Sequence, residues 1–219
     1  MKDTLAQIVI DKNVMHFGKL GTANKNDSRS VIFDPRLLLS DPQVLKYIGK
    51  KLASVVKHNC SGNVLVGLAT AGIGLGAVAS IYSNYPFLYL RSKPKLHLTY
   101  KWLEGAIPQN IKPKIIIVDE LVFNASTKKK AIEKLTELGY EVTDVVVVID
   151  RQLQKQEDGP SLEHKFGVKL HALITMEDLV DYMIRKKLIS TDQLNNLIAD
   201  YSEYNRWHLP KFAQLNGCG

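Results

Sequence analysis

Lys114-Ile-Ile-Ile-Val118 runs directly into Asp119-Glu120-Leu-Val-Phe-Asn124-Ala125-Ser126-Thr127. An unbroken run of β-branched residues predicts a strand buried on both faces, as in the middle of a parallel sheet. The hydroxyl residues that follow open a helix predicted over Ser126 to Leu138, with Gly139 as its C-cap. In an open parallel sheet, ligands bind beyond the carboxyl ends of the strands, where loops lead into helices. This stretch is therefore both the centre of the expected fold and a first place to look for chemistry. Its two carboxylates can hold sugar hydroxyls or a hydrated Mg²⁺. Ser126, Thr127 and the free N–H groups of the helix can hold a phosphate. An acidic, solvated turn with Asn124 or Ser126 as a plain N-cap reads the same residues equally well.

Outward from this strand, elements alternate. Upstream, apolar spacing predicts a helix over Gln43 to His58, entered through Asp41-Pro42, then a strand Asn63 to Leu68, a small-residue helix Ile73 to Tyr82 and a strand Phe87 to Arg91. Downstream come strands Val142 to Ile149 and Lys169 to Ile174, and helices Met176 to Arg185 and Thr191 to Tyr204. The first of these helices opens on Thr175 with Asp178 three positions on. Strand and helix in alternation imply βαβ units and a parallel sheet covered by helices. Residues 1–35 do not alternate and are expected to form a separate flap or hood. The whole chain, 1–219, is expected to be one domain, with 190–219 as a C-terminal helical extension.

Two further segments carry polar chemistry. Leu68-Ala-Thr70-Ala71-Gly72-Ile-Gly-Leu-Gly76 follows a strand, and its small residues let backbone N–H groups approach an anion, or serve only a tight strand–helix turn. Leu90-Arg91-Ser92-Lys93-Pro-Lys95-Leu-His97-Leu-Thr-Tyr-Lys101 is basic. Its Arg91, Lys93, Lys95 and His97 alternate, so an extended chain puts them on one face, fit for a pyrophosphate. Lysines 128 to 130 lie where the helix dipole disfavours cations, either as a solvated face or as added positive potential beside a phosphate.

Composition narrows the setting. Among 219 residues, 45% are hydrophobic and 23% charged, which suits an ordinary globule and excludes a disordered chain. The net charge of +7 suits anionic partners without selecting one. No apolar run approaches the ~20 residues of a bilayer span, and Asp3 and Gln7 interrupt the first apolar stretch, which argues against a signal peptide. Cys60 and Cys218 are too few for a disulfide framework or a metal-ligand cluster, so a reducing cytoplasm is expected.

Taken together, these segments resemble the type I phosphoribosyltransferases, and within them the orotate phosphoribosyltransferase family. The resemblance runs from about Phe17 to Tyr182. It rests on Asp34-Pro-Arg-Leu-Leu-Leu-Ser-Asp-Pro42, Gly67-Leu-Ala-Thr-Ala-Gly-Ile73, Leu90-Arg-Ser-Lys-Pro-Lys-Leu-His97, Ile116-Ile-Val-Asp-Glu-Leu-Val122, Val148-Ile-Asp-Arg151 and Gly167-Val-Lys-Leu-His-Ala-Leu173, in that order. It implies an α/β fold with an open, mostly parallel sheet, flanking helices and a small N-terminal hood. It implies transfer of the 5-phosphoribosyl group from PRPP to orotate, with Mg²⁺ bound through PRPP near Asp119 and Glu120 rather than directly by the protein. By resemblance, Arg91, Lys95 and His97 stabilise the leaving pyrophosphate, assisted by Lys93 and by the loop Thr70, Ala71, Gly72. Asp119 and Glu120 handle the ribose hydroxyls, and Asn124, Ala125, Ser126 and Thr127 form the 5′-phosphate loop. Arg151 and Lys25 face orotate. A basic loop shared with a partner subunit implies a homodimer; neither nucleic acid nor membrane is an expected partner.

The chain departs from the family at the phosphate loop, which there reads Thr-Thr-Gly-x-Ser and here Phe123-Asn-Ala-Ser-Thr127. A left-handed backbone at Ala125 carries strain, and Phe123 cannot donate to phosphate. Ser92 stands where the family has Lys. The runner-up reading is a fold relative with impaired turnover that binds nucleotide or RNA, or a transferase for another base.

Overall fold

The computed structural model describes residues 2–18, 30–95, 101–153, 160–202 and 211–214. Its elements in chain order are α1 (Lys2–Asp11), β1 (Met15–Phe17), β2 (Val31–Phe33), a 3-10 turn Pro35–Leu39, α2 (Pro42–Asn59), β3 (Val64–Leu68), α3 (Ala71–Ser83), β4 (Phe87–Lys95) and β5 (Lys101–Glu104). They continue with β6 (Lys114–Val122), α4 (Ser126–Glu137), β7 (Glu141–Asp150), α5 (Leu162–Phe166), β8 (Lys169–Thr175), α6 (Met176–Arg185), α7 (Thr191–Ser202) and a 3-10 turn Lys211–Gln214.

Six strands form one sheet in the order β5-β4-β3-β6-β7-β8, and all neighbours are parallel except β4 and β5. The α/β class and the mostly parallel sheet agree with the sequence reading. The chain leaves β3 toward β4 on one side and returns to β6 on the other. The loops after β3 and β6 therefore diverge at a switch point, where such sheets bind ligands. Side chains alternate between two cores: Leu65, Ile116, Val118, Val146 and Val148 face one side, and Val66, Ile115, Ile117, Val145 and Val147 the other.

The caps explain where helices start. Asp41 accepts from the N–H groups of Gln43 and Val44 at 2.9 and 3.3 Å, with Pro42 opening α2. Thr175 and Asp178 form a reciprocal capping box on α6. At the other end of α4, Leu138 is the C-cap and Gly139, at φ +84, is the next residue, where a left-handed backbone favours glycine.

Several expectations change. Residues 2–11 form a helix that joins the main core through Leu5, Ala6 and Val9. It is tied to α6 by Lys2–Asp178 and Arg185–Asp3 ion pairs, each at 2.8 Å. β1 and β2 form a separate two-stranded antiparallel sheet. β4 runs beyond Arg91 to Lys95 because it pairs with β5, with an irregular register after Leu90. β6 runs through Asp119 and Glu120 to Val122, paired with β7 throughout, so the acidic pair lies in a strand and not in a loop. In α7, Leu197 and Tyr201 are buried, and Tyr201 meets Phe212 edge to face at 5.0 Å. Among the described residues no helix is long and apolar enough to cross a membrane.

Candidate active site

The loop after β3 is shaped by close approach. A Cβ on Gly67 would lie 2.5 Å from the Gly72 carbonyl oxygen, and one on Gly72 would lie 2.5 Å from the Val118 carbonyl oxygen and 3.1 Å from Asp119 Oδ1. The absent side chains thus let the start of α3 press against the end of β6. Gly72 serves this packing; Ala71 is buried beside it, and Thr70 is exposed at the turn. The Ala69–Thr70 peptide is cis.

The loop after β6 turns through a left-handed residue. Ala125, 2% exposed, sits at φ 60° and ψ 3° as the N-cap of α4. Its carbonyl accepts from Lys129 N at 2.8 Å, and Asn124 Oδ1 accepts from Ser126 N at 3.1 Å. Ser126 and Thr127 are exposed on the first turn. Together with Ala69, Arg91, Lys130 and Lys134 they line a cleft of about 350 Å³. Arg91 is held there by Glu104 Oε1 at 3.4 Å and by the Lys93 carbonyl at 3.2 Å, while Lys93 itself is exposed. Lys134, which the sequence reading did not single out, lies 4.9 Å over the Trp102 ring and pairs with Glu137.

The lysine run is not a solvated face. Lys128 and Lys129 are buried, and only Lys130 is exposed. Lys128 Nζ lies 2.6 Å from Asp119 Oδ2, the two side chains being 8% and 7% exposed, and it also donates to the Leu121 carbonyl. Burial pushes the Glu120 carboxyl up to about 8, helped by its hydrogen bond to Asp119 and that group's charge. Burial thus favours the neutral form of Glu120, and Asp119 is already paired with Lys128. The pair therefore presents no two bare carboxylates to a divalent cation, and this donor set does not fit a resident Mg²⁺.

Arg151 lies elsewhere, at the end of β7, and is 7% exposed. Its guanidinium lies over two rings, 4.8 Å from the Phe33 centroid and 5.1 Å from that of Phe123. Its Nη2 approaches the Val31 carbonyl at 3.5 Å, and its own carbonyl accepts from the Tyr201 hydroxyl. Ser30 is tied to α7 through Asp200 Oδ2, by N at 2.7 Å and Oγ at 2.6 Å. Arg91, Ser126 and Thr127 therefore share a cleft, Asp119 and Glu120 form a second cluster beside Gly72, and Arg151 is covered by aromatic rings. Lys25, His97 and the Lys95 side chain lie outside what the structure describes.

No family model matches the chain. An orotate phosphoribosyltransferase from Cytophaga hutchinsonii is 31% identical over 165 residues, 75% of this chain and 77% of the relative. The chain belongs to the orotate phosphoribosyltransferase family. The UMP synthase of Leishmania donovani superposes with a TM-score of 0.76 at 24% identity, covering 93% of this chain and 42% of that longer protein. An orotate phosphoribosyltransferase of Francisella tularensis superposes with a TM-score of 0.72 at 18% identity, covering 92% of this chain and 99% of that one. At these identities the likeness of the structures concerns the fold.

Proposed function

We propose that this family member transfers the 5-phosphoribosyl group of PRPP to N1 of orotate, giving orotidine 5′-monophosphate and pyrophosphate. The observation that carries the reading is the left-handed turn at Ala125. It suits the turn that the resemblance implies for the phosphate loop, where the family has glycine, and leaves Ser126 and Thr127 exposed in the cleft beside Arg91.

In the reaction the C1–O bond to pyrophosphate breaks and its electron pair leaves with the pyrophosphate. The C1–N1 bond forms, and the proton on orotate N1 is lost. Negative charge grows on the leaving group, where fixed cations stabilise it most effectively. Arg91, with Lys93, Lys95 and His97, takes that role, and Thr70, Ala71 and Gly72 supply the turn that receives pyrophosphate. The α4 N-terminus with Ser126 and Thr127 receives the 5′-phosphate. Asp119 and protonated Glu120 offer an acceptor and a donor to the ribose hydroxyls. Lys128 keeps that pair from repelling the phosphates. Mg²⁺ arrives as part of the PRPP complex. On the base side, Arg151 and Lys25 are the residues assigned to orotate. The active form is a homodimer sharing the basic loop, in the cytoplasm, with 1–219 as a single domain.

The test is loss of orotate absorbance on mixing purified protein with orotate, PRPP and Mg²⁺. Turnover that falls about a hundredfold in Arg91→Ala, with the melting temperature kept, is the expected outcome. A folded protein with no turnover at high PRPP overturns the proposal.

A further inference from the structure

The sequence offers no metal-ligand spacing around its cysteines, yet the fold gathers three ligand types from distant segments. Cys60 caps the end of α2, Asp144 lies near the start of β7, and His171 lies on β8. The Cys60 Sγ, an Asp144 carboxylate oxygen and a His171 ring nitrogen all lie within 4.8 Å of one another. Asp144 is fully buried, and Cys60 and His171 are partly so.

We propose that Cys60, Asp144 and His171 bind one divalent transition-metal ion of the Zn²⁺ class, with water completing the set. Sulfur, imidazole and carboxylate together favour such an ion over Mg²⁺ or Ca²⁺. Tetrahedral ligation at ordinary bond lengths needs ligand atoms about 3.3 to 3.6 Å apart. His171 Nε2 and Asp144 Oδ1 already stand 2.9 Å apart, so adjustments of about 1 Å complete the geometry. The carboxylate is oriented from behind, because Asp144 Oδ2 accepts from Ser61 N at 2.9 Å. On binding, the thiol releases its proton and the imidazole carries its own on Nδ1, freeing Nε2 for the ion. Burial and the nearby Asp144 push the metal-free thiol up to about 12, so this cysteine is a neutral, inert side chain until an ion arrives.

The place in the fold separates this site from phosphoribosyl transfer. Asp144 pairs with Lys169, whereas Asp119 pairs with Val147, three residues further along β7. At about 3.3 Å per residue that is roughly 10 Å toward the amino ends of the strands. The ion would staple α2 to β7 and β8, giving a structural role.

The test is titration of the metal-free full chain with Co²⁺, followed by its thiolate-to-cobalt absorption, and thermal melts with and without Zn²⁺. One equivalent should bind with the thiolate band, and saturating Zn²⁺ should raise the melting midpoint by about 5 to 10 °C. Cys60→Ser should abolish the band, and His171→Gln should weaken binding at least tenfold. Should His171→Gln fail to fold, Cys60→Ser alone decides. No thiolate band in the wild type, or equal Zn²⁺ stabilisation of wild type and Cys60→Ser, overturns the proposal.

Discussion

Lys128→Met tests the charge balance at the acidic pair. Lys128 and Asp119 are both nearly excluded from water and 2.6 Å apart. Removing the cation leaves Asp119 buried without its partner, for which the cost is about 3 to 5 kcal/mol. For a chain of this length that lowers the melting midpoint by roughly 10 °C. The double variant Asp119→Asn, Lys128→Met removes both charges and should regain most of the loss, because a buried pair contributes little beyond a neutral replacement of similar volume. The assay is a double-mutant cycle by urea denaturation at pH 7, with an expected coupling of about 2 to 4 kcal/mol. Glu120 enters the same cycle: Lys128 favours its ionised form, so the single variant should hold the Glu120 proton to higher pH than wild type. A Lys128→Met cost below about 1 kcal/mol, or a double variant as unstable as the sum of the singles, refutes the reasoning.

Three other outcomes follow from the site. Glu120 rises from 4.5 to about 8 on folding, so between those values the folded chain binds a proton that the unfolded chain has released. Stability should therefore fall as pH rises through that window, and urea denaturation of Glu120→Gln should show a flatter profile. At Ala125, glycine relieves a left-handed strain of about 1 to 2 kcal/mol but gives up a buried methyl and adds chain entropy of similar size. Ala125→Gly should stay within about 1 kcal/mol of wild type and keep turnover, whereas Ala125→Val should cost about 2 kcal/mol or more and raise the KM for PRPP, in melts and initial rates. Phe123→Thr restores a hydroxyl to the phosphate loop but removes one ring from Arg151. It should destabilise by about 1 to 3 kcal/mol and raise the KM for orotate; a lower KM for PRPP at unchanged stability would show that Phe123 is only a lost donor.

The sheet was legible because its strands are written as apolar runs with nothing to interrupt them. Lys114 to Val118 and Val142 to Ile149 needed no partner to be recognised. The acidic pair was misplaced into a loop because two charges ordinarily end a buried strand. Here β6 continues because β7 pairs with it to Val122 and because Lys128, on the next helix, neutralises Asp119. A signal for that lysine was present: Lys128, Ala131, Ile132 and Leu135 form the buried stripe of α4 at helical spacing. The helix dipole disfavours a cation at Lys128 and left a solvated face or added potential beside a phosphate as the readings, but the buried ion pair with Asp119 outweighs a dipole effect of a few tenths to about 1 kcal/mol. Likewise Asp144 shares the inward parity of Val146 and Val148, and a lone charge at an inward position calls for buried partners. His171 and Cys60 were beyond reach, since their approach to Asp144 depends on strand pairing and on where α2 ends.

The loop departures fit a rebuilt site better than a decaying one. Losing the glycine would matter if the loop had lost its turn, yet Ala125 holds φ 60° with its methyl packed in the core. By the family resemblance, Phe123 costs the loop a phosphate donor, but its ring lies 5.1 Å from the Arg151 guanidinium, which also has the Phe33 ring at 4.8 Å. That arrangement extends outward: Tyr201 of α7 donates to the Arg151 carbonyl, and Asp200 beside it fastens Ser30 at the foot of β2. A chain under no demand to keep Arg151 would not need two rings over its guanidinium and a C-terminal helix bonded to its main chain, because burying a guanidinium is costly unless its surroundings repay the lost hydration. The position that looks most damaged in the sequence is thus one of the groups that gather around Arg151, with the N-terminal strands and Phe123 on its side chain and the C-terminal helix on its main chain.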